Sequence, residues 1–298
     1  MKKANDNVIL TIFTPTYNRA STLERTYQSM LRQDCKDFIW LIVDDGSTDN
    51  TAVLAKTWME NDNGFEIRYI HKENGGMHTA HNTAYDNIDT EINTCVDSDD
   101  MLAVGAVKKI IDMWNCVRNE GYAGIIALDA DFDNKVIGRG FSQGLKATTV
   151  SGYYSKGGSG DKKLIYRTDI IKKYPPYPVF KGEKYVSLSY KYRLIDQDYE
   201  MAVLDEIVCN VEYQPNGSTG SMLKQYKNNP NGFAFWRKIR METADSTKRL
   251  FIDCIHYVSS SIIGKNKHYI KESPRKGMTV LAIPFGWGLS KYIKRKAK

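Results

Sequence analysis

The first half of the chain alternates short apolar runs with amphipathic stretches. Val8–Phe13, Phe38–Val43, Ile67–Ile70, Ile92–Val96 and Gly124–Leu128 are rich in β-branched and apolar residues and bounded by turn formers, which predicts five buried strands. Between the first two, Leu23, Tyr27, Met30 and Leu31 recur at helical spacing. Ser21-Thr22-Leu23-Glu24 has the form of a capping box, so a helix is expected from about Thr22 to Asp34. Further helices are expected over Ala52–Asn61, Thr79–Tyr85 and Val104–Val117. Strands and helices in alternation predict an α/β fold, a doubly wound and mostly parallel sheet flanked by helices.

Beyond Leu128 the pattern loosens. Asp129–Gly160 is polar and glycine-rich, Leu164–Tyr166 reads as a strand, and Tyr174-Pro175-Pro176-Tyr177-Pro178 excludes a regular helix. Tyr185–Ile195 reads as a helix, and Met201–Leu204 with Ile207–Tyr213 as a pair of short strands. Met222–Tyr226, Gly232–Glu242 and Ser246–Ser260 predict a helical C-terminal appendage. A shift in composition near Asn210–Ser221 divides the chain into residues 1–215, regular to about 128 and irregular over 129–215, and a helical region 216–298 with a basic tail.

Polar residues cluster where strands end: Thr14–Asn18, Asp44–Ser47 and Asp97–Asp100. Right-handed βαβ connections bring such ends to one edge of a sheet, where ligands of open α/β folds bind. Asp97 and Asp99 are two apart and point the same way in extended chain. Clustered carboxylates repel, and a hard cation relieves the repulsion; Mg²⁺ typically takes one or two carboxylates plus substrate phosphates. A metal–diphosphate site is therefore expected. The plainer alternative is a polar turn in which Asp100 caps the next helix.

Thr14-Pro15-Thr16-Tyr17-Asn18-Arg19, Val43-Asp44-Asp45-Gly46-Ser47-Thr48-Asp49, Asn74-Gly75-Gly76 and Asp97-Ser98-Asp99-Asp100, in this order and at these separations, resemble the family 2 glycosyltransferases of the GT-A fold. The resemblance is strong over Leu10–Asp100 and looser to about Ser221. It implies a metal-dependent, hexosyltransferase-like enzyme that moves a sugar, with inversion, from a nucleotide diphosphate sugar (a UDP-sugar first among donors) to a glycan or lipid-linked acceptor in bacterial surface polysaccharide synthesis. Residues 1–128 become the nucleotide-sugar half and 129–215 the acceptor half. Pro15, Tyr17, Arg19, Asp45 and Asp97 would bind the nucleotide, with Asp45 reading the base. Asn74, Gly75, Gly76, His78 and Ser98 would lie by the donor sugar and diphosphate. Asp99, within the DXD motif, would hold Mn²⁺ or Mg²⁺. The family's general base is often an acidic Glu-Asp pair; this chain has Gly182-Glu183-Lys184 instead, which makes Glu183 the expected base, with Asp196 and Asp198 as competitors. For Arg19, His78 and Glu183 the plain readings are a solvated cation, a packed ring and a helix N-terminus.

Composition narrows the rest. Cys35, Cys95, Cys116, Cys209 and Cys254 form no CxxC pair, and their odd number argues against a disulfide framework, so a reducing compartment is expected; the resemblance implies a cytoplasmic setting at the inner face of the cell membrane. No apolar run is long enough to span a bilayer. The net charge of +7 is partly local, since Lys291, Lys294, Arg295, Lys296 and Lys298 crowd the end of the chain. With Phe285 and Trp287 ahead of them, they suit peripheral membrane contact; a core-packing hairpin with a solvated tail is the alternative. No nucleic-acid recognition motif accompanies the basic tail. A nucleotidyltransferase is the enzymatic alternative, though no basic glycine-rich loop follows the first strand; an inactive nucleotide-sugar or glycan-binding relative is the other.

Overall fold

A computed structural model describes residues 8–212, 222–244 and 246–297. The chain forms two compact units, Met1–Pro176 with Lys191–Glu212, and Tyr177–Tyr190 with Tyr213–Lys298. The boundary expected at residues 215 and 216 lies outside the described residues. The segment 177–190, expected in the first unit, belongs instead to the second.

In the first unit the chain runs β1 (Leu10–Thr16), α1 (Ala20–Leu31), β2 (Phe38–Asp44), α2 (Thr51–Glu60), β3 (Glu66–His71), α3 (Met77–Asn87), β4 (Ile92–Cys95), β5 (Met101–Leu102), α4 (Ala106–Val117), β6 (Gly124–Ala130), β7 (Ala147–Thr148), α5 (Val150–Ser155), β8 (Lys162–Arg167), α6 (Thr168–Lys173), α7 (Ser189–Ile195) and β9 (Met201–Asn210). One sheet takes the order β3-β2-β1-β4-β8-β6-β9-β5, with β7 on β9. β1, β2, β3 and β4 pair in parallel, and so do β6 and β9. β8 lies antiparallel between β4 and β6, so β6 runs the same way as β4 and the sheet is mixed but mostly parallel. β1 and β2 are buried along their whole length, as continuous apolar runs require in a sheet covered on both faces. The core beneath is aromatic: Trp40 stacks near Tyr27 and Trp58.

Several expectations change. The helix after β1 starts at Ala20, and no side chain of its own caps it. Asp49, from the loop after β2, accepts the Ala20 N–H at 3.1 Å, so a tertiary contact replaces the Ser21–Glu24 box. Asp100 caps no helix, because α4 begins at Ala106 behind Gly105, whose φ of 72° suits glycine. The two short strands expected over residues 201–213 are one strand, β9, whose register against β6 shifts near Leu128. The helix expected over residues 185–195 shortens to α7.

The second unit contains α8 (Met222–Asn228), α9 (Pro230–Glu242), α10 (Thr247–Ile263), α11 (Tyr269–Glu272), α12 (Lys276–Leu281) and α13 (Ile283–Lys296). Its core holds Ala234, Met241, Cys254, Tyr257, Val258 and Ala282. Arg237 and Arg240 converge on the buried carboxylate of Asp253. Segment 177–190 joins this unit through α9: Tyr185 stacks on Phe233, and Tyr190 meets Phe235 edge to face. Residues 278–289, for which a hairpin was one expectation, are helical, with Pro284 in the first turn of α13 where its missing N–H costs nothing. Among the described residues no helix is long and apolar enough to cross a membrane.

Candidate functional site

The carboxyl ends of β1, β2 and β4 meet at one edge of the first unit, since Thr16 pairs with Asp44 and Phe13 with Cys95. The loops beyond them are laced together. The Asn18 N–H donates to Ser47 Oγ at 2.8 Å, the Asn18 carboxamide accepts the Thr48 N–H at 2.8 Å, and Asp44 accepts the Ser47 N–H at 2.7 Å. Asn18 takes a left-handed φ of 51°, which asparagine tolerates better than most residues. Pro15 is buried within β1, whereas Tyr17 and Arg19 stand exposed beyond its end.

Asp45 is the hub of the next layer. Its buried carboxylate accepts from Lys72 Nζ at 2.6 Å, from the Gly75 N–H at 3.0 Å and from the Gly76 N–H at 2.7 Å. It thus fixes Asn74-Gly75-Gly76 ahead of α3. Gly76 precedes that helix with a φ of 94°, a conformation open to glycine at little cost. The structure gives Asp45 a building role whatever it does toward a base.

The Asp97–Asp100 turn alternates. Asp97 and Asp99 are part-exposed, while Ser98 and Asp100 are buried. The turn is held by its main chain: Arg25 Nη2 donates to the Asp99 carbonyl at 2.6 Å and Thr26 Oγ1 to the Asp100 carbonyl at 2.8 Å. Burial, and then the charge of Asp97, raise the pKa of Asp99. Burial lifts that of Asp100 to about 7, with Lys163 opposing it. Carboxylates crowded in this way favour a cation, and Asp97 and Asp99 are the two part-exposed ones. Among the described residues no three His, Cys, Asp or Glu side chains converge into a ready-made cage.

Sequence reading missed three groups at this edge. Asp129 ends β6, which runs parallel to β4, and so reaches the same edge. It is buried, its Oδ1 has no hydrogen-bond partner, and burial raises its pKa to about 6. Lys163, from antiparallel β8, lies 3.9 Å from that oxygen and donates to the Cys95 carbonyl at 3.3 Å. Arg25 was missed as well, because nothing in the local pattern of α1 marks a contact across 74 residues.

His78 sits in the first turn of α3, buried, with both ring nitrogens lacking a protein partner. Burial lowers its pKa to about 4, and that of His81, packed against Phe13 and Tyr85, to about 3. A ring with a depressed folded pKa costs no stability above the ordinary 6.5, where both states are neutral; its cost grows as the pH falls from 6.5 toward 4. An NMR titration should find the His78 ring neutral until the pH nears 4. A midpoint at 6.5 would mean that the ring is solvated.

Glu183 is held by its own unit. It belongs to the second unit, and its carboxylate accepts three donors there: the Asn231 N–H at 2.9 Å, Asn231 Nδ2 at 2.7 Å and the Gly232 N–H at 2.8 Å. It anchors the first turn of α9 rather than the helix that follows it in sequence. Its competitors stand at the other end of the sheet. Asp196 accepts the Val150 and Ser151 N–H groups of α5, and Asp198, just ahead of β9, accepts the Tyr174 hydroxyl. Replacing Glu183 by Gln turns an amide donor toward N–H donors. Thermal denaturation should show the variant about 1–3 kcal/mol less stable; an unchanged melting temperature would deny the anchor.

Residues 11–149 match the sequence model of glycosyl transferase family 2. Over 107 residues the chain is 35% identical to glycosyltransferase GlyA of Streptococcus pneumoniae, covering 35% of this chain and 15% of that protein. Over 116 residues it is 32% identical to the GalNAc(5)-diNAcBac-PP-undecaprenol beta-1,3-glucosyltransferase of Campylobacter jejuni, covering 38% and 36% of the two chains. These matches span little more than a third of the relatives at most. Among solved structures, S. aureus TarS in complex with UDP-GlcNAc superposes with a TM-score of 0.58 at 16% identity, covering 97% of this chain and 92% of that one. The Pyrobaculum calidifontis mannosyltransferase PcManGT, in complex with GDP-Man and Mn²⁺, gives 0.55 at 14% identity, covering 97% and 76%. At such identities the structures show a shared fold.

Proposed function

Since the chain belongs to the family 2 glycosyltransferases through residues 11–149 and has a GT-A-like fold, we propose that it transfers a sugar, with inversion, from a nucleotide diphosphate sugar to a hydroxyl of a glycan or lipid-linked acceptor. The observation that carries this reading is the placement of the part-exposed Asp97 and Asp99 in the turn after β4, at the edge where the Asp45-held glycine loop is also anchored. Neighbours with UDP-GlcNAc and GDP-Man bound support a nucleotide-sugar donor, UDP-linked first among the candidates. The Campylobacter relative, whose name carries a PP-undecaprenol-linked glycan, supports a lipid-linked acceptor, and the bacterial relatives support a role in surface polysaccharide synthesis.

In this reading Asp99 would hold Mn²⁺ or Mg²⁺, and Asp97 would lie on the nucleotide side. When bound, the ion offsets the charge that gathers on the leaving group. Tyr17 and Pro15 border the base and ribose, Asp45 and its loop close around the donor, and exposed Arg19, whose charge already acts on Asp99, faces the phosphates. His78, neutral and without a protein partner, offers ring nitrogens to the donor. The acceptor oxygen attacks the anomeric carbon from the face opposite the diphosphate as the bond to the diphosphate breaks, and its hydroxyl proton passes to a carboxylate base, with inversion at that carbon.

Thermal shift against a panel of nucleotide diphosphate sugars, with and without Mn²⁺, tests the proposal. One donor should stabilise the protein only when the metal is present, by about 2.7 kcal/mol at a hundredfold excess over Kd. A flat response to the complete panel would overturn it, and stabilisation without turnover on any acceptor would favour an inactive relative.

A further inference from the structure

The C-terminal helix pair of the second unit is turned inside out for a soluble protein. α12 and α13 run on through Ala282 with helical backbone, the Gly286 N–H bonding to the Ala282 carbonyl at 2.9 Å. The buried face carries Ala282, Gly286, Ser290 and Ile293. At Gly286 the fit is so close that a Cβ would lie 2.5 Å from Val258 Cγ1 and 2.9 Å from the Ile255 carbonyl, so small residues set the contact with α10. The large apolar side chains point outward: Leu281 is 66% exposed, Phe285 57%, Trp287 56% and Tyr292 52%. Leu281, Phe285, Gly288 and Tyr292 recur at helical spacing and form one stripe. Exposed Ile252 of α10 lies one residue from Phe251, whose ring meets that of Phe285.

An amphipathic helix normally buries its large apolar residues. This one spends its packed face on glycine and serine and offers solvent the residues it could have buried. The charge on it is one-sided. From Ser273 onward the chain has Arg275, Lys276, Lys291, Lys294, Arg295, Lys296 and Lys298 and no acidic residue. Of the basic residues expected in a tail, Lys291, Lys294, Arg295 and Lys296 lie in the last turns of α13, and Lys291 Nζ lies 5.4 Å from the centre of the Trp287 ring.

We infer that α12 and α13 lie on an anionic lipid surface, with Leu281, Phe285 and Tyr292 at the acyl boundary and the lysines and Arg295 among the headgroups. An apolar stripe rimmed by aromatic and basic side chains is what such an interface selects. A second copy fits worse, since two faces without acidic residues would bring like charges together. Aliphatic Leu281 and Val280 are likewise poorly suited to a nucleic-acid backbone. The inference concerns the second unit alone and stands whether or not the transfer reaction does.

Vesicle flotation of the full chain tests it, using phosphatidylcholine with and without phosphatidylglycerol. The protein should float with the anionic vesicles and not with the neutral ones. Lys291→Gln, Lys294→Gln and Arg295→Gln should each weaken binding about fivefold at low salt, the equivalent of about 1 kcal/mol for a basic residue near such a surface. Phe285→Ser with Tyr292→Ser should abolish the part of the binding that survives high salt. Because these side chains are exposed, circular dichroism and melting temperature should stay at wild-type values. Equal flotation of wild type and all variants would overturn the inference, as would flotation indifferent to vesicle charge. A concentration-dependent dimer lost in the Phe285→Ser, Tyr292→Ser protein, without vesicle binding by wild type, would overturn it in favour of self-association.

Discussion

Asp99→Asn should leave a folded protein that has lost metal-dependent transfer, with turnover reduced roughly a hundred- to ten-thousandfold, or about 3–5 kcal/mol of transition-state stabilisation. The fold should survive because the turn is held through the Asp99 main-chain carbonyl, which Arg25 engages and the substitution leaves in place. The side chain contributes charge. Its raised pKa reflects burial and the neighbouring Asp97, two costs of keeping a carboxylate ionised here without a cation. The amide keeps the size and one oxygen but not the charge that binds a divalent ion. Two measurements separate the outcomes: the Mn²⁺ dependence of donor-induced thermal stabilisation, and turnover with excess donor. Wild-type values of both would remove Asp99 from the metal site and with it the proposed role of the DXD turn.

Asp45→Ala should be the most destabilising single change at the strand-end cluster. The carboxylate is 4% exposed, and its loss leaves Lys72 without its ion-pair partner and the Gly75 and Gly76 N–H groups without an acceptor. Breaking a buried pair costs about 3–5 kcal/mol. Lys72 keeps some contact with solvent and still reaches the Glu73 carbonyl and Thr79 Oγ1, so the lower end, about 3 kcal/mol, is expected. Asp45→Asn, whose carbonyl can still accept an N–H, should cost less. Urea denaturation reads the difference, and donor titration should show both variants binding more weakly because the glycine loop is no longer held. An Asp45→Ala protein with an unchanged midpoint would mean that the loop is fixed by other contacts.

The two predictions draw unequally on the sequence. Asp99 was legible because an apolar run stops abruptly in carboxylates, a local pattern. Asp45 was legible as a strand-end acid, but not as the hub of the glycine loop, whose donors lie 30 and 31 residues away. Asp129 was passed over because β6 was read as ending at Leu128, with a glycine-rich stretch behind it. What brings Asp129 to the edge is the insertion of antiparallel β8 between β4 and β6, which no single segment announces. The anchoring of Glu183 was hidden for a related reason. A glycine followed by an acid says nothing of Asn231, 48 residues on, whose amide the carboxylate accepts. In α13 the proline and glycines obscured a helical period that the tertiary fold made plain.

By itself the sequence determined the strands and helices of the first half, their alternation, and hence a mostly parallel sheet whose polar strand ends share one edge. These features follow from periodicity and turn chemistry, which act over a few residues. Tertiary structure alone decided where β8 and β9 insert, that Arg25 of α1 cradles the Asp97–Asp100 turn, that segment 177–190 packs with the helical unit, and which face of α13 looks outward. Each of these depends on partners tens of residues apart. A carboxylate, a guanidinium or a small-residue face has no fixed role until the fold supplies the group that it meets.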